Sequence, residues 1–170
     1  IAFESIKDDA GSYPIVRSMS EIAGNFAILT AARYLANSDN GKGVLLGGIS
    51  GVPPARVLII GAGVVGEFAA RAAFGLGASV KIFDNSIYRL MRLQNNIGRR
   101  CFTSVIEPIA LAEVLRNADV AVGALKPING ITPVVVTDQM VSNMKAGSVI
   151  IDVSIDRGGC FETSKLTSHE

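Results

Sequence analysis

Residues Val57–Asp84 read VLIIGAGVVGEFAARAAFGLGASVKIFD, and the fold turns on how this stretch is taken. An apolar run is followed by glycines at 61, 63 and 66, then by small apolar residues at helical spacing. A glycine at 77 and a second apolar run ending in Asp84 complete the unit. A short continuous apolar run bounded by turn residues fits a strand buried on both faces, as parallel strands are. The unit is therefore strand, tight turn, helix, turn, strand.

The same alternation continues to the end of the chain. Strands are expected at RVLII, SVKIF, CFTSV, DVAVG and SVIIDVS. Helices are expected at about 64–76, 86–97, 108–116 and 137–144, with Gly77 and Gly98 placed for C-caps and Pro108 in a first turn. Short strand–helix loops imply right-handed crossovers between parallel strands. The fold class is α/β, a Rossmann-type doubly wound, mostly parallel sheet with helices on both faces. Upstream, IAFESI reads as a short strand. SMSEIAGNFAILTAARYLAN reads as a helix, with Ser18 and Glu21 spaced as a capping box and Ile22, Phe26, Leu29 and Arg33 at helical spacing.

With 170 residues, 49% of them hydrophobic, and 18 glycines, the chain can bury a substantial core without disulfides. A formal net charge of +1 gives no footprint for nucleic acid or an anionic membrane. Mean hydropathy is +0.40, yet no apolar run approaches the ~20 residues of a membrane helix. Cys101 and Cys160 have neither disulfide nor zinc-site spacing, which points to a reduced, cytoplasmic compartment and no metal. The chain begins at Ile1 in mid-pattern and stops in a polar stretch, as part of a longer polypeptide would.

In a doubly wound sheet, ligands bind outside the carboxyl ends of the strands. The residues expected there are Gly61–Gly66, Asp84–Asn85, Ala124–Lys126 and Val153–Asp156. Gly61-Ala62-Gly63-Val64-Val65-Gly66 has the spacing GxGxxG. The first glycine permits the turn, the second lets a pyrophosphate approach the backbone, and the third lets helix and strand pack closely. The helix N-terminus adds N–H donors and partial positive charge. The alternatives are a plain glycine turn or a site for a methionine-derived cofactor. The strand before, the helix after and the acid downstream favour a dinucleotide.

Asp84 at the end of the next strand favours NAD over NADP. Its carboxylate can accept the ribose hydroxyls but would face a 2′-phosphate, and like charges ~4 Å apart cost about 4 kcal/mol at an effective dielectric near 20. Arg89 is the one cation expected nearby. The same Asp84 could instead cap the helix that follows Ser86. Asp156 could face a nicotinamide and substrate, or merely stabilise the Gly158-Gly159 turn. Asp152, earlier in its strand, reads as structural. His169 reads as a solvated terminal residue, Cys160 as a packed thiol and Arg99-Arg100 as a solvated pair. Gly41-Lys42-Gly43 lacks the Ser or Thr that a phosphate loop needs for magnesium.

Together, SMSEIAGNFA, GKGVLLGGISGVPPARVLIIGAGVVGEFAARAAFGLGASVKIFD, ADVAVGA and MKAGSVIIDVSIDRGGCFETS resemble the alanine dehydrogenase family. That family also includes the NAD-binding subunit of proton-translocating transhydrogenase. The acid in SIDRGGC and the compact segment after Asp84 resemble the dehydrogenase branch. The resemblance implies a reversible, NAD-linked oxidative deamination of L-alanine to pyruvate and ammonia.

By that pattern Ser20 touches the phosphates, Val64 and Val65 back the pyrophosphate, Asp84 holds the adenosine ribose and Arg89 lies along adenosine. Leu125 and Lys126 approach the nicotinamide ribose, Val153, Ser154 and Ile155 line the nicotinamide, and Asp156 matches the catalytic aspartate. Residues 1–40 become a strand and connecting helix from an inter-domain region, and 41–170 the NAD domain. Ile106 stands where a Ser contact to adenosine is usual, and Lys126 is unusual in its loop. No segment matches the family's N-terminal substrate domain, whose Lys, His and Arg grip the substrate carboxylate. The expectation is a domain that binds NAD weakly and does not turn over alanine alone, part of a homo-oligomer that is a hexamer when complete. A transhydrogenase NAD subunit and a stand-alone NAD-binding module are the competing readings.

Overall fold

The computed structural model describes residues 2–36 and 41–167. Helix α1 (Pro14–Leu35) leads into a doubly wound unit of β1 (Arg56–Ile60), α2 (Val64–Gly75), β2 (Ser79–Phe83), α3 (Ile87–Ile97) and β3 (Phe102–Ser104). Then come α4 (Pro108–Arg116), β4 (Val120–Gly123), α5 (Asp138–Ser142) and β5 (Val149–Asp152). The five strands are all parallel, in the order β3-β2-β1-β4-β5. The Rossmann-type fold expected from the alternation is present.

Alternation along each strand feeds two cores. Val57, Ile59, Val80, Ile82, Val120 and Val122 face α1, α2 and α3. Leu58, Ile60, Phe83 and Ala121 face α4, where Leu111 and Leu115 meet them, together with Val136, Cys160 and Phe161 from the chain after β4. Ile59 and Ile60 are both fully buried, so each contributes about 1.5–3 kcal/mol on opposite faces of one strand. The central strands β1 and β4 are thus buried on both faces, as a parallel sheet requires, while β5 at the edge stays half-buried.

The amino-terminal expectations need three corrections. Phe3–Ser5 is a single 3-10 turn, not a strand, and its residues are exposed. Among the described residues no strand pairs with it, so its apolar–polar pattern forms no ladder. The helix begins four residues earlier than the expected Ser18, with Pro14 in its first turn. Ser18 is therefore interior and its Oγ donates to the Pro14 carbonyl at 3.0 Å, while Glu21 accepts from Arg17 at 2.9 Å. No capping box exists there.

The third correction concerns the buried face of α1. Ile22, Phe26 and Leu29 are 67%, 63% and 56% exposed, whereas Gly24, Ala27, Ile28, Ala31 and Leu35 are buried. The reason is contact with α2 at backbone distance. A Cβ on Gly24 would run into the Val65 carbonyl and lie 2.9 Å from Ala69 N. Only small residues allow so close an approach, and α2 answers with Ala69, Ala70 and Ala73.

At the amino ends of β1 and β4, Asp119 accepts from Arg56 N and from Lys42 at 2.8 Å, and from Lys145 at 2.9 Å. Lys42 is thereby a structural anchor on the sheet edge opposite the ligand crevice. Arg99, expected as solvated, lies over the Phe74 ring at 4.5 Å. Residues 37–40, expected to end the helix, and His169 lie outside the described residues. Among the described residues, no helix is long and apolar enough to cross a membrane.

Candidate functional site

Strand order reverses direction between β1 and β4, so the crevice opens at their carboxyl ends. The ladder bonds carry the turn residues into one row. Gly61 N donates to Phe83 O at 2.7 Å, Ala124 N to Ile60 O at 2.8 Å and Val153 N to Gly123 O at 2.8 Å. Four segments far apart in sequence, at 61–66, 84, 124–126 and 153–156, therefore share one edge.

The three glycines of the first turn have three distinct reasons. Gly61 sits at φ +117°, where a side chain is strained, and a Cβ there would collide with the Ala124 carbonyl. Gly66 lies in the first turn of α2, and a Cβ there would run into the Gly61 carbonyl. Gly63 is different: a Cβ on it would meet nothing within 4 Å. The helix cap Gly63, with Val64 and Val65 half-buried in the first turn behind it, faces open space. A phosphate group can reach the backbone there, at a helix N-terminus that favours negative charge.

Ser20 is half-buried on α1, one turn before Gly24, and its Oγ donates to Val16 O at 2.8 Å. Gly24 lies against Val65 and Ala69, while Ala32 and Ala36 share a groove with Gly75 and Leu76. The two helices therefore run in the same direction, and Ser20 lies on the side of the α2 start.

Asp84 is 2% exposed. Its Oδ2 accepts from Ala62 N at 2.7 Å and its Oδ1 from Ser86 N at 2.7 Å. Arg89 Nη1 stands 3.5 Å from Oδ2. The two readings of Asp84 are compatible: the carboxylate organises the entry to α3, whose cap is Ser86 accepting from Arg89 N, and has lone pairs left for a ligand. Ile106 N donates to Asn85 Oδ1 at 3.1 Å, so the position that lacks Ser still belongs to this rim.

Beyond β4, Leu125 is half-buried against the core on the α4 face and Lys126 is exposed. The loop then turns tightly through Asn129 (φ 51°) and Gly130 (φ 86°), with Ile128 and Ile131 bridged. Beyond β5, Val153 and Ile155 are half-buried and Ser154 is buried. A groove of about 870 Å³ between α1 and β5 takes in Val153 and Ile155, with Phe26 and Thr30 on its other wall, but none of the glycine turn.

Asp156 lies in a 3-10 turn, Ile155–Arg157, with its side chain 74% exposed and Arg157 Nε 4.0 Å away. It does not stabilise the Gly158-Gly159 turn. Asp152 does that, accepting from Ser154 N and Oγ, Cys160 N, Phe161 N and Ser164 Oγ at 2.7–3.3 Å. The expectation that Asp152 is structural holds, and Asp156 is left facing solvent at the crevice end. Cys160 is buried against Asp152; burial first and that carboxylate second push its thiol up to about 12. It is a packed thiol, as expected.

Sequence reading missed two supports of the turn. Arg92 Nη2 donates to Ala62 O at 3.3 Å, and Glu67 in the first turn of α2 is 5% exposed. Glu67 accepts from Arg71 at 2.9 Å and from Asn96 at 2.9 Å, tying α2 to α3. The one signal for Arg92 is its spacing of three from Arg89, which puts both on one helix face.

The family model described as alanine dehydrogenase/PNT, C-terminal domain matches residues 27–170. An alanine dehydrogenase of Halomonas elongata is 46% identical over 169 residues, covering 99% of this chain and 46% of that protein. One from Mycolicibacterium smegmatis is 41% identical, covering 100% of this chain and 46% of its own length. Among solved structures, an L-alanine dehydrogenase superposes with a TM-score of 0.93 at 41% identity, covering 99% of this chain and 47% of that one. A transhydrogenase from Sinorhizobium meliloti gives 0.76 at 26% identity, covering 89% and 43%. The chain thus spans about half the length of the curated relatives it matches.

Proposed function

This chain belongs to the alanine dehydrogenase/PNT C-terminal domain family, and from that membership we propose that it is the NAD-binding domain of an L-alanine dehydrogenase. The observation that carries the reading is the open space over Gly63, at the start of α2 and beside the buried carboxylate of Asp84. A pyrophosphate would lie over Gly63, Val64 and Val65 with Ser20 beside it. Asp84 would accept the adenosine ribose hydroxyls, and Arg89 would flank adenosine. Leu125 and Lys126 would border the nicotinamide ribose, and Val153, Ser154 and Ile155 the nicotinamide. When bound, NAD supplies a nicotinamide ring that exchanges a hydride with the substrate Cα.

The reaction would be reversible oxidative deamination of L-alanine to pyruvate and ammonia. Asp156, exposed at the crevice end, is free to meet a substrate or a proton-bearing group there. The groups that hold the substrate carboxylate would come from polypeptide outside this chain, within a cytoplasmic homo-oligomer that is hexameric when complete. The higher identity and TM-score of the dehydrogenase relatives support this reading over a transhydrogenase subunit.

Calorimetric titration of the chain with NADH tests binding, and an alanine assay on the intact polypeptide tests activity. NADH binding without alanine turnover by the 170-residue chain is expected. Asp156→Asn in the intact polypeptide should lower turnover while NADH affinity stays within about twofold. Near-normal turnover would remove Asp156 from catalysis. Hydride transfer to an NADP site without alanine activity would instead support the transhydrogenase reading.

A further inference from the structure

We propose that Arg92 is a positioning residue for the cofactor turn, holding the Ala62 carbonyl so that the Ala62–Gly63 peptide is preset for a pyrophosphate. The proposal rests on the dinucleotide reading of this crevice. Ala62 is buried between the first two glycines and is gripped at both ends. Asp84 Oδ2 takes its N–H at 2.7 Å, and Arg92 Nη2 reaches its carbonyl at 3.3 Å. A trans peptide sets C=O and N–H in opposite directions. Fixing the Ala62 carbonyl toward α3 therefore fixes the Gly63 N–H away from α3. Without that grip, a Gly-X-Gly turn samples many backbone states, and ordering it would be charged against binding.

The clamp is itself anchored. Arg89 and Arg92 are three residues apart on α3, and Asp84 Oδ1 holds the entry to that helix through Ser86 N at 2.7 Å. Farther along α3, Asn96 reaches Glu67 at 2.9 Å and accepts from Arg71 at 2.8 Å. The helix is thus tied to α2 on one side and to β2 on the other. Arg92 Nε is buried with no hydrogen-bond partner. A buried donor left unpaired needs a reason. Here the guanidinium is held where Nη2 reaches Ala62, and Nε is sealed in by that position.

The test compares ligands that do and do not carry a pyrophosphate. NADH, ADP-ribose and adenosine are titrated against wild type, Arg92→Met and Arg92→Lys. Arg92→Met should weaken NADH and ADP-ribose about tenfold, the loss of one charge-assisted contact, and leave adenosine within about twofold. Arg92→Lys, which can still reach one carbonyl, should recover part of the loss. Equal weakening of all three ligands, or none, overturns the role. If Arg92→Met does not fold, Arg92→Lys carries the same comparison, with a selective loss of at least about threefold expected and an equal loss overturning it. A wild type that binds none of the three removes the dinucleotide reading and the role with it. A wild type that binds, with both variants unchanged, removes the role alone.

Discussion

Replacing Asp84 by Ala should damage stability and cofactor binding by separable amounts. The carboxylate is 2% exposed, and Ala62 N–H, which donates to it at 2.7 Å, is buried as well. Leaving that donor unpaired costs about 1–3 kcal/mol. Ser86 is half-buried, so water can replace part of its bond, and the Arg89 side chain is 42% exposed, which limits the ion pair to about 0–1 kcal/mol. The sum is about 1–4 kcal/mol. At roughly 2–4 °C per kcal/mol for a domain of this size, the melting midpoint should fall about 2–16 °C.

Loss of a charged acceptor for ribose should raise the NADH Kd by about 100-fold, the equivalent of roughly 3 kcal/mol. The same substitution should narrow the preference for NADH over NADPH, because it removes a repulsion of about 4 kcal/mol at an effective dielectric near 20. Thermal melting and titration with both nucleotides measure all three effects. A lowered midpoint with unchanged NADH affinity would make Asp84 a clamp only. An unchanged midpoint would refute the buried hydrogen bond as a source of stability.

Two glycine variants should behave oppositely. Gly66→Ala places a Cβ against the Gly61 carbonyl, so it should destabilise by about 2 kcal/mol or more. Gly63→Ala meets open space and has φ −76°; its midpoint should stay within ~2 °C while NADH affinity falls at least about tenfold. Asp119 gives an acid-limb prediction. Burial by itself would raise its carboxyl, but the Arg56 N–H, Lys42 and Lys145 outweigh it and hold the group below the usual range. A depressed folded value means stability that is present above the unfolded pKa of about 3.9 and lost as pH falls through the folded one. Asp119→Asn should flatten the melting midpoint against pH below about pH 4, and an unaltered acid limb would refute the assignment. Burial also raises the Cys101 thiol, partly offset by Gln94 and Arg99. Near pH 8, a disulfide reagent should label Cys101 slowly and Cys160 only on unfolding, followed by mass mapping; rapid labelling of Cys160 would contradict its burial.

Strand positions were legible because parallel strands are continuous apolar runs, and all but CFTSV have Gly or Asp at one edge. RVLII and SVKIF coincide with β1 and β2, and CFTSV, DVAVG and SVIIDVS lose one to three residues at their ends. The glycine turn was legible because three separate backbone demands fall within six residues. The amino-terminal helix was legible as a helix but not in its orientation. Ile22, Phe26 and Leu29 form the more apolar stripe, yet α2 approaches where Gly24 lets it. Ser18 and Glu21 had the spacing of a cap, but i,i+3 pairs also recur inside any helix.

By itself, then, the sequence determined the order of strands and helices, the glycine turn and the acid beyond it, since these depend on backbone conformation and burial within short windows. Only the tertiary structure decided that Asp152, not Asp156, holds the Gly158-Gly159 turn, that Lys42 and Lys145 converge on Asp119, and that Ala62 is gripped by Asp84 and Arg92 together. The grips on Ala62 join residues 22 and 30 positions apart and those on Asp119 residues 26 and 77 apart, while the Asp152 bonds beyond the glycine pair span 8 to 12. A hydrogen bond depends on a separation of about 3 Å in space, and no local periodicity encodes which distant side chains the folded sheet will bring that close.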